Sequence, residues 1–410
     1  MLSGQSQNKT AIIAFLVFGL TGMYSLLKIY RNSINFADAT QGGIWNYLLL
    51  VLMGVGIFAL LSIIASLSER TMIVSSPIKM SIAYTMVVWI NGLLTLSITN
   101  AASVYYFIVA PCFALVLCAM YCAYDEKLPL LINRLWYGLW CVILCLLFYS
   151  YVHFFSMYAY YESGDKIALN NSYYAACAIP FFLRRNDKLG FFMTFFSCLV
   201  VFISNKRTGL IAILFALVAY YLIKAKMNGS IVSFIKRISL GSIFLLVLLF
   251  VFSLIDSKYQ LGVFLRLDQI FEDGGSGRTV IYEYVFNEIM ESNLFNILLG
   301  HGTASITTLK MGLSSAHNDF LNIYYEYGLT AVLLIVFFYF SLVASLKKMI
   351  DAGYVNSSCF AFSIIISLFF SFFSANLDNQ SFSLILAVYW GVELASWDKF
   401  RAGLTFSRNM

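Results

Sequence analysis

The chain has 410 residues, of which 61% are hydrophobic, 17% aromatic and only 11% charged, with a formal net charge of +6. A soluble domain is about 25% charged and less than half apolar, so this chain lacks the polar surface that folding in water requires. A soluble enzyme, a disordered chain and a nucleic-acid binder are excluded. What remains is a polytopic membrane protein.

A spanning helix takes about 20 mostly apolar residues. In chain order such runs fall at 11–28, 44–66, 80–98, 102–124, 134–157, 168–183, 189–204, 208–224, 238–256, 329–346, 357–375 and 380–397. The expected fold is all-α, a polytopic integral membrane bundle of about 12 transmembrane helices. It forms a single transmembrane domain over 1–410, with one long, partly helical periplasmic loop at 257–328. The weakest run is 168–183, which is short and opens on Asn170, Asn171 and Ser172. The first run ends in Tyr24, Ser25 and Leu26 with no small-residue cleavage pattern, so it reads as a retained anchor.

Lysines and arginines set the orientation. With both termini in the cytoplasm, the inner connections hold roughly twice as many basic residues as the outer ones, and each inner connection holds at least one. Losing one span would invert half of these loops and erase the bias. The expected location is a cell membrane, crossed many times. The eight cysteines lie in or beside apolar runs, and none pairs with a histidine at metal-ligand spacing. Neither a disulfide framework nor a zinc site is expected.

The long loop after Asp256 has aromatic and aliphatic residues throughout, so it is expected to fold. Over Arg278–Phe295 the pattern predicts an amphipathic helix against the membrane face, with Ile281, Val285, Phe286 and Ile289 on one side. Glu283, Asn287, Glu288 and Glu291 fall elsewhere on it. Gly274, Gly275, Ser276 and Gly277 precede Arg278 as a flexible turn. Arginine at a helix N-terminus opposes the macrodipole. Local stability does not explain Arg278, and an anionic ligand would.

Three polar segments on the outer side can carry chemistry. Ser204-Asn205-Lys206-Arg207-Thr208-Gly209 is a hinge between two apolar runs, and its cations break the positive-inside trend. They either reach lipid headgroups or, through the planar fork of Arg207, hold a phosphate. Gly275-Ser276-Gly277-Arg278-Thr279 displays a second guanidinium, which is either a solvated charge or an anion ligand. Ser314-Ser315-Ala316-His317-Asn318-Asp319-Phe320-Leu321 runs into Tyr324, Glu326, Tyr327 and Gly328. His317 stands directly before a span, where an imidazole can take a proton from a hydroxyl. Asp319 or Glu326 is available to orient the ring, and the sequence leaves the choice open. Of the other histidines, His153 lies at the aromatic outer end of the fifth run and His301 lies between Gly300 and Gly302.

Together these residues resemble the O-antigen ligase and polymerase superfamily. The resemblance rests on an Arg after Ser-Asn at the start of a span, a Gly-Arg in a long periplasmic loop, a Gly-His-Gly turn, and His-Asn-Asp-Phe-Leu followed by Glu-Tyr-Gly-Leu. It covers roughly Ser204 to Phe340. In such proteins the substrate is a glycan on undecaprenyl pyrophosphate, handled at the periplasmic face without nucleotide sugar or metal. The resemblance implies that Arg207 and Arg278 hold the pyrophosphate and that His317 activates the acceptor hydroxyl. Lys206, Asn318, Asp319, His301 and Glu326 are the further candidates for substrate binding. No cofactor is expected, and Asp268, Glu272 and Asp273 in their Gly-rich turn read as solvated rather than as a Mg²⁺ site.

The implied activity is that of a metal-independent inverting glycosyltransferase. Polymerisation of lipid-linked repeat units is preferred, because the His-Asn-Asp-Phe-Leu form resembles exopolysaccharide polymerases more closely. Ligation of the finished glycan to lipid A core is the alternative. Membrane lipids are expected partners, and the scheme also admits a chain-length regulator and a flippase. The chain could itself be a flippase or transporter, but it shows no internal repeat and its spans are nearly free of charge. Glu393, toward the inner end of the last span, is the main exception. Tyr105, Tyr106, Tyr158, Tyr160 and Tyr161 read as an aromatic belt at the interface.

Overall fold

The computed structural model describes residues 75–95, 112–124, 172–204, 206–228, 277–310, 315–374 and 382–408, with Leu377 and isolated helical positions within 17–26, 54–61, 107, 131–139 and 232–257. The described residues form helices with no strand among them. Most of the runs at 11–28, 44–66, 134–157 and 238–256 lies outside these residues, as do Asp268, Glu272, Asp273, His153 and the five belt tyrosines. Among the described residues, Cys118, Cys122, Cys177, Cys198 and Cys359 are free thiols.

Helix α1, Ser76–Leu94, starts with Pro77 in its first turn, where a missing N–H costs nothing. Its buried stripe of Ile78, Ser81, Thr85, Val88 and Asn91 repeats every three to four residues. Ser81 and Thr85 donate to carbonyls of their own helix, so the polar seam stays satisfied away from water. Helix α2, Cys112–Cys122, is buried almost throughout. Helix α3, Ser172–Arg185, corresponds to the weakest apolar run, and its residues from Tyr173 to Phe182 are buried. Helices α4, Lys188–Ile203, and α5, Arg207–Asn228, follow through tight turns.

The described part of the long loop is folded. Helix α6 covers Arg278–Met290 and α7 covers Leu294–Leu299, followed by a single 3₁₀ turn at Ser305–Thr308. The expected amphipathic helix therefore breaks after Met290. Val285 and Ile289 are buried and Ile281 is packed against Ile306, Leu309, Ala316 and Tyr325. The expected membrane-facing side is corrected: Ile281, Val285 and Ile289 pack inward against protein, and Phe286, expected on the same side, is exposed away from them.

Helix α8, Asp319–Asp351, is two helices joined at Gly328, whose φ of 75° and ψ of −179° are not helical. The break has a visible cause. The chain at 298–302 runs beside it, with His301 N–H donating to Tyr325 O and Gly302 N–H to Glu326 O, both at 2.9 Å. A Cβ at Gly300 would lie 2.3 Å from the Glu326 carbonyl oxygen, and one at Gly328 would lie 2.3 Å from that of Leu298. Two glycines thus let two backbones interlock. The Tyr325 and Glu326 carbonyls at the broken helix thus find amide donors, as buried backbone groups require.

Helices α9, Ser357–Phe373, and α10, Ser383–Arg408, are the last of the described helices. Ser363, Ser367 and Ser371 form a buried stripe on α9 at one-turn spacing. The Tyr339 hydroxyl on α8 meets the hydroxyls of Ser367 and Ser371 at 2.8 Å each, and Trp390 Nε1 on α10 donates to Ser363 at 2.7 Å. Small residues permit this close packing, and hydrogen bonds join the helices where hydrophobic burial discriminates little. Among the described residues, Ser76–Leu94, Arg207–Met227 and Asp319–Asp351 are long and apolar enough to cross a membrane by length and composition. Cys112–Cys122, Lys188–Phe202 and Ser357–Phe373 are shorter apolar helices.

Glu393 is fully buried, paired with Arg184 at the end of α3 at 2.5 Å, and accepts from the Tyr354 hydroxyl at 3.0 Å and Asn356 Nδ2 at 3.2 Å. The one prominent charge in the last span is thus bound into a tie between α3, α10 and the α8–α9 turn.

Candidate active site

The site grows from the end of α9. The last carbonyls of a helix have no partner within it, and at Phe372 and Phe373 they draw donors from two other elements. Arg278 Nη1, opening α6, donates to Phe373 O and contacts Thr208 Oγ1 at 3.4 Å. One turn further along α6, the Tyr282 hydroxyl donates to Phe372 O at 3.3 Å and lies 3.2 Å from the His317 carbonyl. Asn318 Nδ2, leading into α8, also donates to Phe372 O, at 3.1 Å. The C-terminal end of a helix favours a cation. The same guanidinium that opposes the α6 dipole is therefore compensated at the end of α9.

His317 is held at this junction in a left-handed conformation, φ 53°, which is uncommon for a residue with a side chain. Its amide donates to Ser315 Oγ at 3.2 Å, and its carbonyl accepts from Tyr282. Asn318 is the α8 N-cap, its Oδ1 accepting from the Leu321 amide at 3.1 Å. The residue carrying the imidazole is thus fixed by hydrogen bonds on both sides.

The ring lies among cations. Partial desolvation, then Arg278, then Lys206 hold the His317 pKa below the ordinary imidazole value. Each effect penalises the charged form, so the ring is neutral at neutral pH and can accept a proton. Burial raises the pKa of Tyr282, with Arg278 and Asn318 opposing that shift, so its phenol stays protonated as a donor. Lys206 Nζ stands 5.9 Å over the ring of Tyr173 on α3. Arg207 is the first residue of α5, beside the Thr208 that Arg278 contacts, and its Nη1 is shielded from solvent.

Other candidates are placed differently. Asp319 is fully buried, and its Oδ2 accepts from the Leu377 amide at 2.8 Å, pinning the segment after α9 to the start of α8. Glu326 is buried next to the Gly328 kink, where its carbonyl receives Gly302. His301 stacks on Tyr325 with ring centroids 4.4 Å apart, while Nε2 faces Ser292 Oγ at 2.8 Å and Nδ1 faces Asn296 Nδ2 at 3.3 Å. Both of its ring nitrogens are thus spent inside the α6–α7 unit. Tyr282 was not among the sequence candidates, although its place one turn after Arg278 on a predicted helix puts the two on one face.

Residues 192–336 match the family model described as O-Antigen ligase. The match supports the O-antigen ligase and polymerase superfamily over that segment, about a third of the chain. No curated protein matches the chain. The superfamily segment runs from α4 to the second half of α8 and contains Lys206, Arg207, Arg278, Tyr282, His301, His317 and Glu326. The carbonyls that gather the site come from α9, outside the matched segment. Apolar helices and family together make this an integral membrane protein.

Proposed function

We propose that the protein is a polysaccharide polymerase, transferring a glycan from undecaprenyl pyrophosphate to the next lipid-linked repeat unit at the periplasmic face of the inner membrane. Exopolysaccharide, capsule and O-antigen biosynthesis are the settings for such an enzyme. The observation that carries the reading is the gathering of Arg278, Tyr282 and Asn318 on the last carbonyls of α9, with the His317 carbonyl accepting from the same Tyr282 hydroxyl. A neutral base beside preorganised cations suits attack by a hydroxyl on a sugar activated by pyrophosphate.

In the proposed step the acceptor oxygen bonds to the anomeric carbon as the bond from that carbon to the pyrophosphate oxygen breaks. The hydroxyl proton passes to His317, and the electron pair leaves with the lipid pyrophosphate. Arg278, Arg207 and Lys206 offset the added negative charge. One displacement inverts the anomeric carbon. Because protein cations supply this stabilisation, activity is expected to survive EDTA, and a strict metal requirement would refute the scheme.

The description of the matching family favours a second reading, transfer of the finished glycan to lipid A core. Purified protein given defined lipid-linked repeat units separates the two: a ladder of products supports polymerase, and a single transfer to lipid A core supports ligase. Replacing Arg207 or Arg278 with Ala is expected to abolish extension with membrane insertion intact, while full activity in both removes them from the site. His317→Ala is expected to lose turnover but keep donor binding. Transport is disfavoured by the pairing of Glu393 with Arg184, which leaves that carboxylate committed to the fold.

A further inference from the structure

We propose that the outward face of α6 and α7 is a membrane-docking surface whose partner is the acyl-chain region of the leaflet on the His317 side. Helix α7 contributes no buried residue. Leu294 is 71% exposed and Phe295 54%, and Phe286, Met290 and Leu298 are exposed as well. Phe286 and Met290 stand one turn apart on α6, and Leu294 and Leu298 one turn apart on α7. The other face of α6 is already used, since Val285 and Ile289 pack with Ile306 and Tyr325. A strip of this size facing water would be an aggregation liability, whereas facing acyl chains it is the apolar side of an interfacial helix pair.

The fold fixes the depth of the strip. Between the Gly328 kink and Lys347, residues 329–346 carry no charge, and at about 1.5 Å each they extend about 27 Å. That is close to the roughly 30 Å of a bilayer's hydrocarbon core. The kink therefore marks the hydrocarbon edge. Helix α7 is fastened at this level, with Thr330 Oγ1 donating to the Leu298 carbonyl at 3.0 Å. From there exposed apolar side chains continue down α8 at Leu333, Phe337 and Phe340. The surface on α7 is thus continuous with the lipid-facing side of a span, and this continuity identifies acyl chains as the partner. Docked in this way, α6 holds Arg278 at the level of the lipid phosphates. The inference stands on depth and exposure and is independent of the proposed chemistry.

The test uses the full chain reconstituted in vesicles of phosphatidylethanolamine and phosphatidylglycerol. Photoreactive p-benzoylphenylalanine replaces Leu294, Phe295 or, as an exposed polar reference on α6, Asn287. After irradiation, mass spectrometry is expected to find lipid adducts at 294 and 295 about tenfold above those at 287. Equal labelling at all three positions, or adducts at 294 and 295 to this chain or another protein in place of lipid, overturns the proposal. Should the bulky probe prevent folding, Phe295→Trp with brominated lipids decides: a quenchable component absent from the parent supports docking, and its absence refutes it.

Discussion

Replacing Gly328 with Ala tests whether the interlock between the 298–302 segment and broken α8 holds the site's framework together. The structure supplies a matched control in Gly353, in the α8–α9 turn. Both glycines have positive φ, 75° and 71°, but a Cβ at Gly353 meets nothing within 4 Å, whereas one at Gly328 lies 2.3 Å from a backbone oxygen. Gly353→Ala is expected to cost about 1 kcal/mol, the left-handed penalty alone. At Gly328 the ψ of −179° is in a region nearly reserved for glycine, costing about 1–3 kcal/mol. Relieving the contact also pulls α7 from the kink, weakening the bonds from His301, Gly302 and Thr330, at about 1 kcal/mol each. The sum is about 4–6 kcal/mol, several times the control. Denaturant or thermal unfolding in one detergent, with both variants measured against the parent, reads the difference. If Gly328→Ala unfolds no earlier than Gly353→Ala, the interlock does not stabilise the fold and this account of the kink is wrong. Gly300→Ala is expected to match Gly328→Ala, and the double variant should cost less than the sum because both break one contact.

The remaining expectations concern the two ends of the bundle. In the proposed mechanism the base is neutral His317, whose pKa is held below the ordinary imidazole value, so the rate is expected to fall only on the acid side of that value. Lys206→Met removes a cation that disfavours the imidazolium, so the acid limb should move to higher pH; a stationary limb with reduced rate would mean that another group titrates. Tyr282→Phe leaves the ring packed but removes the hydroxyl bridging His317 O and Phe372 O. It is expected to lower kcat by about tenfold, the loss of one hydrogen bond's worth of positioning, with KM little changed; an equal rise in KM would assign the hydroxyl to substrate. Glu393→Gln leaves Arg184 buried without its counter-charge. A loss of about 3–5 kcal/mol is expected, with activity at permissive temperature retained, and an unfolding midpoint within error of the parent would refute the tie.

Much of this architecture was legible because a membrane leaves the chain few options. Backbone groups in hydrocarbon must be satisfied within the segment, so an apolar run of sufficient length is a helix whatever surrounds it. The runs at 189–204, 208–224 and 357–375 became Lys188–Ile203, Arg207–Asn228 and Ser357–Phe373 for that reason. The weak run at 168–183 also became a helix, described over Ser172–Arg185, because its small residues at Ala175, Ala176 and Ala178 fit it into the centre of the bundle. The α6 pattern was legible only in part. Periodicity reports that a helix has an apolar side, and it cannot say which apolar side meets protein and which meets lipid.

By itself the sequence determined the medium, the helical class, the polar segments that interrupt the apolar runs, and a set of side chains suited to anions and proton transfer. These follow from composition and local patterning, which depend on neighbours within a few residues. Only the tertiary structure decided which candidates meet. It drew Arg278, Tyr282 and Asn318 to the unpaired carbonyls of α9, dozens of residues away in the chain, and set His317 among them. It committed His301 to Ser292 and Asn296, and Asp319 to Leu377. Such pairings are settled by where helices end in space and which backbone groups there still need partners, and one-dimensional spacing does not carry that information.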